Sequence, residues 1–102
     1  MNIRVAVIVS TYNACSVLKR VLDAYAAQDR FPDELVVADD GSSDSTADMV
    51  AAMTKTAKFP IKYITQPDEG FRLAKVRNEA VKATDCDYLI FTDGSTREAV
   101  MF

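Results

Sequence analysis

The chain of 102 residues has no histidine, only two cysteines and no tract of basic residues. Each shortage removes a class of chemistry. Without histidine every Ser-His or Cys-His mechanism is excluded, so a general base has to be Asp or Glu. Cys15 and Cys86 lie far apart, with no Cys-x-x-Cys spacing and no histidine to complete a zinc site. They read as reduced thiols of a cytoplasmic protein. A net charge of −3 without a basic tract argues against nucleic acid as a partner and against an anionic membrane surface. A phosphate-bearing ligand would have to be held locally, by backbone N–H groups, a few cations or a metal. A long apolar run is also missing. The start, Met1 to Val9, is too short for a signal peptide or a membrane span and reads as a first strand.

What is present is a globular composition, 49% hydrophobic and 26% charged, in a chain sized for one domain, 1–102. Ile3 to Val9 is β-branched and almost continuously apolar, the pattern of a strand covered on both faces. Val17, Leu18, Val21, Leu22 and Tyr25 then recur at helical spacing within 14–28, with N-cap candidates in Ser10 to Asn13. Glu34 to Ala38 predicts a second strand, followed by a helix through Ala47 to Met53 that Asp44 or Ser45 can cap. Ile61 to Ile64 is a short third strand, Phe71 to Ala83 a third helix, and Cys86 to Phe91 a fourth strand. The alternation implies an α/β, Rossmann-like parallel sheet with right-handed crossovers and helices on both faces. The expected strand order is 3-2-1-4, with a switch point between strands one and four.

All the polar clusters follow strands and therefore share the carboxyl edge of that sheet. Asp39 and Asp40 are adjacent carboxylates at a strand end, where they repel each other and are costly to desolvate. Either they face a ligand crevice, or they cap the next helix in solvent. Thr11, Tyr12 and Asn13 can stack on a flat base and reach ribose or phosphate, or simply form an N-cap with a surface tyrosine. Arg72, Lys75 and Arg77 open the third helix, where a cation can counter a diphosphate, or be solvated and pair with acids such as Glu79. Asp93-Gly94-Ser95 can place a carboxylate on Mg²⁺ or Mn²⁺, or form a plain turn.

Taken together, Val7 to Asn13, Val36 to Asp44, Glu69 to Arg72 with Arg77 to Ala80, and Tyr88 to Gly94 closely resemble the inverting family 2 glycosyltransferases of the GT-A fold. The resemblance spans about residues 3 to 94 with four motifs in order. It implies the amino-terminal, nucleotide-sugar-binding half of such an enzyme, taking a nucleotide-diphospho-sugar, in first place a UDP-sugar. Thr11 and Tyr12, with Asn13 beside them, would line the base pocket, and Asp40 would accept the uracil imide N–H. Asp39 would support that loop, Arg72 or Arg77 would lie near the ribose-diphosphate, and Asp93 would open an Asp-x-Asp metal motif.

Two departures from the family pattern carry expectations of their own. Ser95 stands where the family has its second acid, so affinity for Mg²⁺ or Mn²⁺ should fall. The stretch Thr96 to Phe102 does not resemble the family's continuation, which implies a truncated product or an altered reading frame after Gly94. The acceptor half and its catalytic base would then be absent and the chain weakly active or inactive. The competing reading is a non-catalytic nucleotide-binding or oligomeric structural module. An uncovered fourth strand would be an edge prone to pairing, and predicts a homo-oligomer. The order of motifs argues against a phospho-receiver, since here the acidic pair follows the second strand. A dehalogenase-type phosphatase is disfavoured, because its Asp motif precedes the other elements, whereas Asp93 follows the fourth strand.

Overall fold

A computed structural model describes residues 3–70 and 72–93. Strand β1 (Val5–Thr11) is followed by α1 (Cys15–Ala26), β2 (Glu34–Asp39), α2 (Thr46–Thr56), β3 (Ile61–Thr65), α3 (Leu73–Lys82) and β4 (Tyr88–Asp93). All the strand pairs are parallel, in the order β3-β2-β1-β4. The expected α/β topology is therefore the observed one.

Alternation along each strand sends successive side chains to opposite faces and so builds two cores. On one face Val7, Val9, Leu35 and Val37 pack with Leu18, Val21, Leu22 and Tyr25 of α1 and Val50 of α2. On the other, Ile8, Val36 and Ala38 meet Val76 and Ala80 of α3. Helices thus cover both faces, and that explains why Leu35 to Ala38 of β2 form an unbroken apolar run: every residue of the strand is buried. Leu18, Leu22 and Leu35 are each fully enclosed. Burying one such side chain contributes roughly 2 kcal/mol.

Element ends differ from the sequence pattern in a consistent direction. β1 runs to Thr11 and β4 to Asp93, two residues beyond the last apolar positions. The polar residues Ser10, Thr11 and Asp93 remain in the ladder because Thr11 is in register with Asp39 and Ser10 with Asp93. Helix α1 starts one residue late, and none of Ser10 to Asn13 caps it. Its N-cap is Ala14, which makes no side-chain cap. The carboxylate of Asp44, from the neighbouring loop, accepts from Cys15 N at 3.2 Å instead. Cys15 and Cys86 are both free thiols. No helix among the described residues is long and apolar enough to cross a membrane.

Candidate functional site

The register pairs Thr11–Asp39, Asp39–Thr65 and Ser10–Asp93 align the four strand ends, so the loops after β1, β2 and β3 converge on one edge. Asp39 and Asp40 sit at the centre and neither is exposed. Their surroundings differ. Asp39 Oδ1 accepts from Ser42 N (3.0 Å) and Ser42 Oγ (2.6 Å), and Oδ2 accepts from the hydroxyl of Tyr63. Burial first, then this hydrogen bond to a carboxylate, pushes the Tyr63 phenol well above its ordinary pKa. Asp39 is therefore committed to holding the β2–α2 turn against β3. It does not cap a helix.

Asp40 turns to the other side. Its Oδ1 accepts from Gln66 Nε2 at 2.6 Å and its Oδ2 from Arg72 N at 2.6 Å, while its own N–H donates to Thr11 O at 3.0 Å. Gln66 Nε2 also donates to Arg72 O at 2.9 Å. Asp40 thus ties the ends of β1, β3 and α3 together. Two polar atoms of this cluster, Gln66 Oε1 and Arg72 Nε, are buried without a partner.

The rim is built from the β1 and β2 loops. Asn13 has a left-handed backbone (φ 46°). Its N–H donates to Ser42 Oγ at 2.8 Å and its Oδ1 accepts from Ser43 N at 2.7 Å. Asp44 caps two helices at once: besides Cys15 N, its Oδ1 accepts from Thr46 N at 3.0 Å and from the Thr46 hydroxyl. Burial works to raise its pKa, but the hydrogen bonds from Thr46 and Cys15 outweigh it and hold the carboxyl below its ordinary value. Tyr12 reaches across to Asp68, its hydroxyl donating to Oδ2 at 2.7 Å. That bond first, with partial desolvation, raises the Tyr12 phenol. Gly41 is required by this crowding. At φ +82° a Cβ would lie 2.5 Å from Asp68 N and 2.7 Å from Gln66 O.

The remaining expected residues lie further out. Arg72 extends from the start of α3, its guanidinium 2.9 Å from Glu69. Arg77 is further along the helix, its guanidinium carbon 5.7 Å from the centre of the Phe91 ring. Asp93 is exposed at the end of β4. Ser95 lies outside the described residues, and among those described there is no group of three metal-ligating side chains. The structure therefore gathers Thr11, Tyr12, Asn13, Asp39, Asp40 and Arg72 around one cluster, with Asp93 at the adjacent strand end and Arg77 over β4. Sequence reasoning passed over Tyr63, Gln66, Asp68 and the double cap by Asp44. Gln66 had one available signal: like the others, it is a polar residue immediately after a strand.

An open parallel sheet with buried carboxylates and paired loops on its carboxyl edge defines an α/β protein of the doubly wound class. A profile described as Glycosyl transferase family 2 matches residues 6–94. The chain belongs to that family. It is 38% identical over 90 residues to a validoxylamine A glucosyltransferase of Streptomyces hygroscopicus subsp. limoneus, covering 86% of this chain and 19% of the relative. It is 34% identical over 99 residues to an O-antigen chain rhamnosyltransferase of Salmonella typhimurium, covering 96% and 29%. Among solved structures, a mannosyltransferase of Pyrobaculum calidifontis in complex with GDP-Man and Mn²⁺ superposes with a TM-score of 0.80 at 28% identity, over 92% of this chain and 28% of that one. S. aureus TarS 1-349 in complex with UDP-GlcNAc superposes with a TM-score of 0.71 at 30% identity, over 90% and 26%. The chain thus spans 19% to 29% of the length of these proteins.

Proposed function

We propose that residues 1–102 form one nucleotide-sugar-binding domain whose ligand is a nucleoside-diphospho-sugar, with a UDP-sugar as the first candidate. The observation that carries the reading is the buried Asp40 carboxylate at the meeting point of three strand-end loops. A carboxylate held there is an acceptor for the N–H of a uracil or guanine edge. In this reading Thr11 and Tyr12 line the base pocket and Asn13 fixes its rim. Asp39 keeps the turn in shape, and Arg72, at the helix start, serves the ribose-diphosphate. Arg77, over Phe91, supports the same helix or reaches the ligand from it.

Mg²⁺ or Mn²⁺ fits the donor set through Asp93, a hard oxygen at the carboxyl edge, because a phosphate-bound cation needs only one or two protein oxygens. Ser95 would add at most a neutral hydroxyl and weaken the hold. When bound, such a cation supplies Lewis-acid stabilisation to a departing diphosphate. The residues described serve the donor, so the proposed activity of this chain alone is binding, with transfer to an acceptor weak or absent. The proposed location is the cytoplasm.

Calorimetric titration with UDP, GDP and UDP-sugars, with and without Mn²⁺, tests the reading. Saturable binding strengthened by metal is expected, and no binding at millimolar ligand would overturn it. A second reading, an oligomeric structural module, draws on one observation: Tyr88, Ile90 and Phe91 of β4 are 61%, 45% and 51% exposed. Light scattering after size exclusion separates the two. A homo-oligomer joined through β4 is expected on this second reading, and a clean monomer counts against it.

A further inference from the structure

We propose that Gln66 is an internal stand-in for the ligand at Asp40, and that a nucleobase has to displace it in order to bind; the inference rests on the nucleotide-binding reading above. A glutamine carboxamide carries an N–H donor beside a C=O acceptor. The edges of uracil and guanine carry the same pair. In this structure the carboxamide N–H occupies Asp40 Oδ1 at 2.6 Å, the acceptor assigned to the base, and its second N–H holds Arg72 O at 2.9 Å. Asp40 is fully covered as a result.

Two features mark the closed arrangement as one built to give way. Gln66 Oε1 and Arg72 Nε are both buried with no partner. Orphaned buried polar atoms are expensive, because the lost hydration is returned by nothing. Swinging Gln66 outward lets Oε1 regain solvent, while the vacated Asp40 oxygen accepts from the ligand. The segment that would move lies at the surface, where its side-chain ties are the exposed Tyr12–Asp68 hydrogen bond and the Glu69–Arg72 ion pair. Pro67, Asp68, Glu69 and Gly70 are exposed, and Gly70, at φ +91°, has no heavy atom within 4 Å of where a Cβ would sit. Gln66 on this account sets affinity and selects for ligands that present an N–H donor strong enough to replace its own.

The experiment titrates the whole chain with UDP and, separately, GDP, comparing wild type with Gln66→Ala and Gln66→Met. Methionine fills most of the same volume but has no N–H, so it keeps the test sound if the alanine variant packs poorly. Removing the competitor should tighten binding about tenfold, the worth of one hydrogen bond to a charged partner. Asp40→Asn should abolish binding in either background. Equal or weaker binding by the methionine variant, with wild type still binding, would overturn the stand-in role and leave the nucleotide reading intact. No binding by wild type or either variant would overturn the nucleotide reading itself. A second readout is hydrogen exchange of the Gln66 side-chain amide in wild type, which should speed up when UDP is added. An unchanged rate at saturating UDP would show that Gln66 stays in place and would overturn the proposal.

Discussion

Strands β2 and β4 look interchangeable on paper. Each has six residues, ELVVAD against YLIFTD; each lies parallel beside β1, and each ends in aspartate. Their fates are opposite. Every residue of β2 is buried, whereas Tyr88, Ile90 and Phe91 of β4 are about half exposed or more. The difference comes from neighbours. β2 has β3 on its far side, α1 and α2 over one face and α3 over the other. Among the described residues β4 is an edge strand, held to the helices by contacts such as Tyr25 OH to Thr92 Oγ1 at 3.2 Å and Arg77 over Phe91. A hydrophobic strand sequence thus specifies a strand, while its place in the order decides what that strand is worth to stability. The terminal aspartates repeat the lesson. Asp39 is enclosed by three donated hydrogen bonds, and Asp93 is exposed.

The comparison can be broken most forcefully in the core. Leu35→Ala in β2 should cost about 3 kcal/mol of stability, the usual penalty for an enclosed leucine. Ile90→Ala in β4 should cost under about 1 kcal/mol, because its side chain is already partly in water. Urea denaturation of both variants measures this, and equal losses would show that β4 is covered in solution by something that encloses it.

The strand ends come next. Asp39→Ala should cost about 2 kcal/mol, since it strands the Tyr63 hydroxyl and the Ser42 donors in a part-buried setting. Asp93→Ala should stay within about 0.5 kcal/mol. The same pair sharpens the functional assignment. Asp93→Ala should leave UDP binding without metal unchanged while removing any gain on adding Mn²⁺, as titration would show.

The smallest effect is on the alkaline limb of stability. Tyr63 has a folded pKa above its unfolded value, so the folded state holds its proton longer. Its contribution is fully present below pH 10, about the unfolded value, and is lost as pH rises towards the folded pKa. Tyr63→Phe, which removes this titration, should flatten the decline of melting temperature above pH 10. An unchanged decline would mean that the Tyr63–Asp39 bond does not distinguish the end of β2 in solution.

Much of this architecture was legible in the sequence because it depends on local pattern. Seven elements, their order and the sharing of one edge by the polar clusters follow from apolar periodicity and from the handedness of parallel crossovers. Element ends were less legible. Ser10, Thr11 and Asp93 look like strand breakers, yet they extend β1 and β4 because the ladder beside them continues. The cap of α1 was misread for a related reason, although Asp44 does cap α2 as its sequence position suggests. Asp44 lies 29 residues from the start of α1, and no local pattern reveals a partner that distant.

By itself the sequence determined the α/β class, from residue types repeated at short, regular spacing, and the sheet order, from the rules for parallel crossovers; four ordered motifs carried the resemblance to the family. The family resemblance already gave Asp39 and Asp40 different roles, and only the tertiary structure supplied the partners of each. Both are adjacent, acidic and fully buried, but one closes on Tyr63 and Ser42 and the other on Gln66 and Arg72. Hydrogen bonds are directional, and apart from Ser42 these partners come from other elements. Which groups close on each carboxylate was therefore decided when those elements packed together.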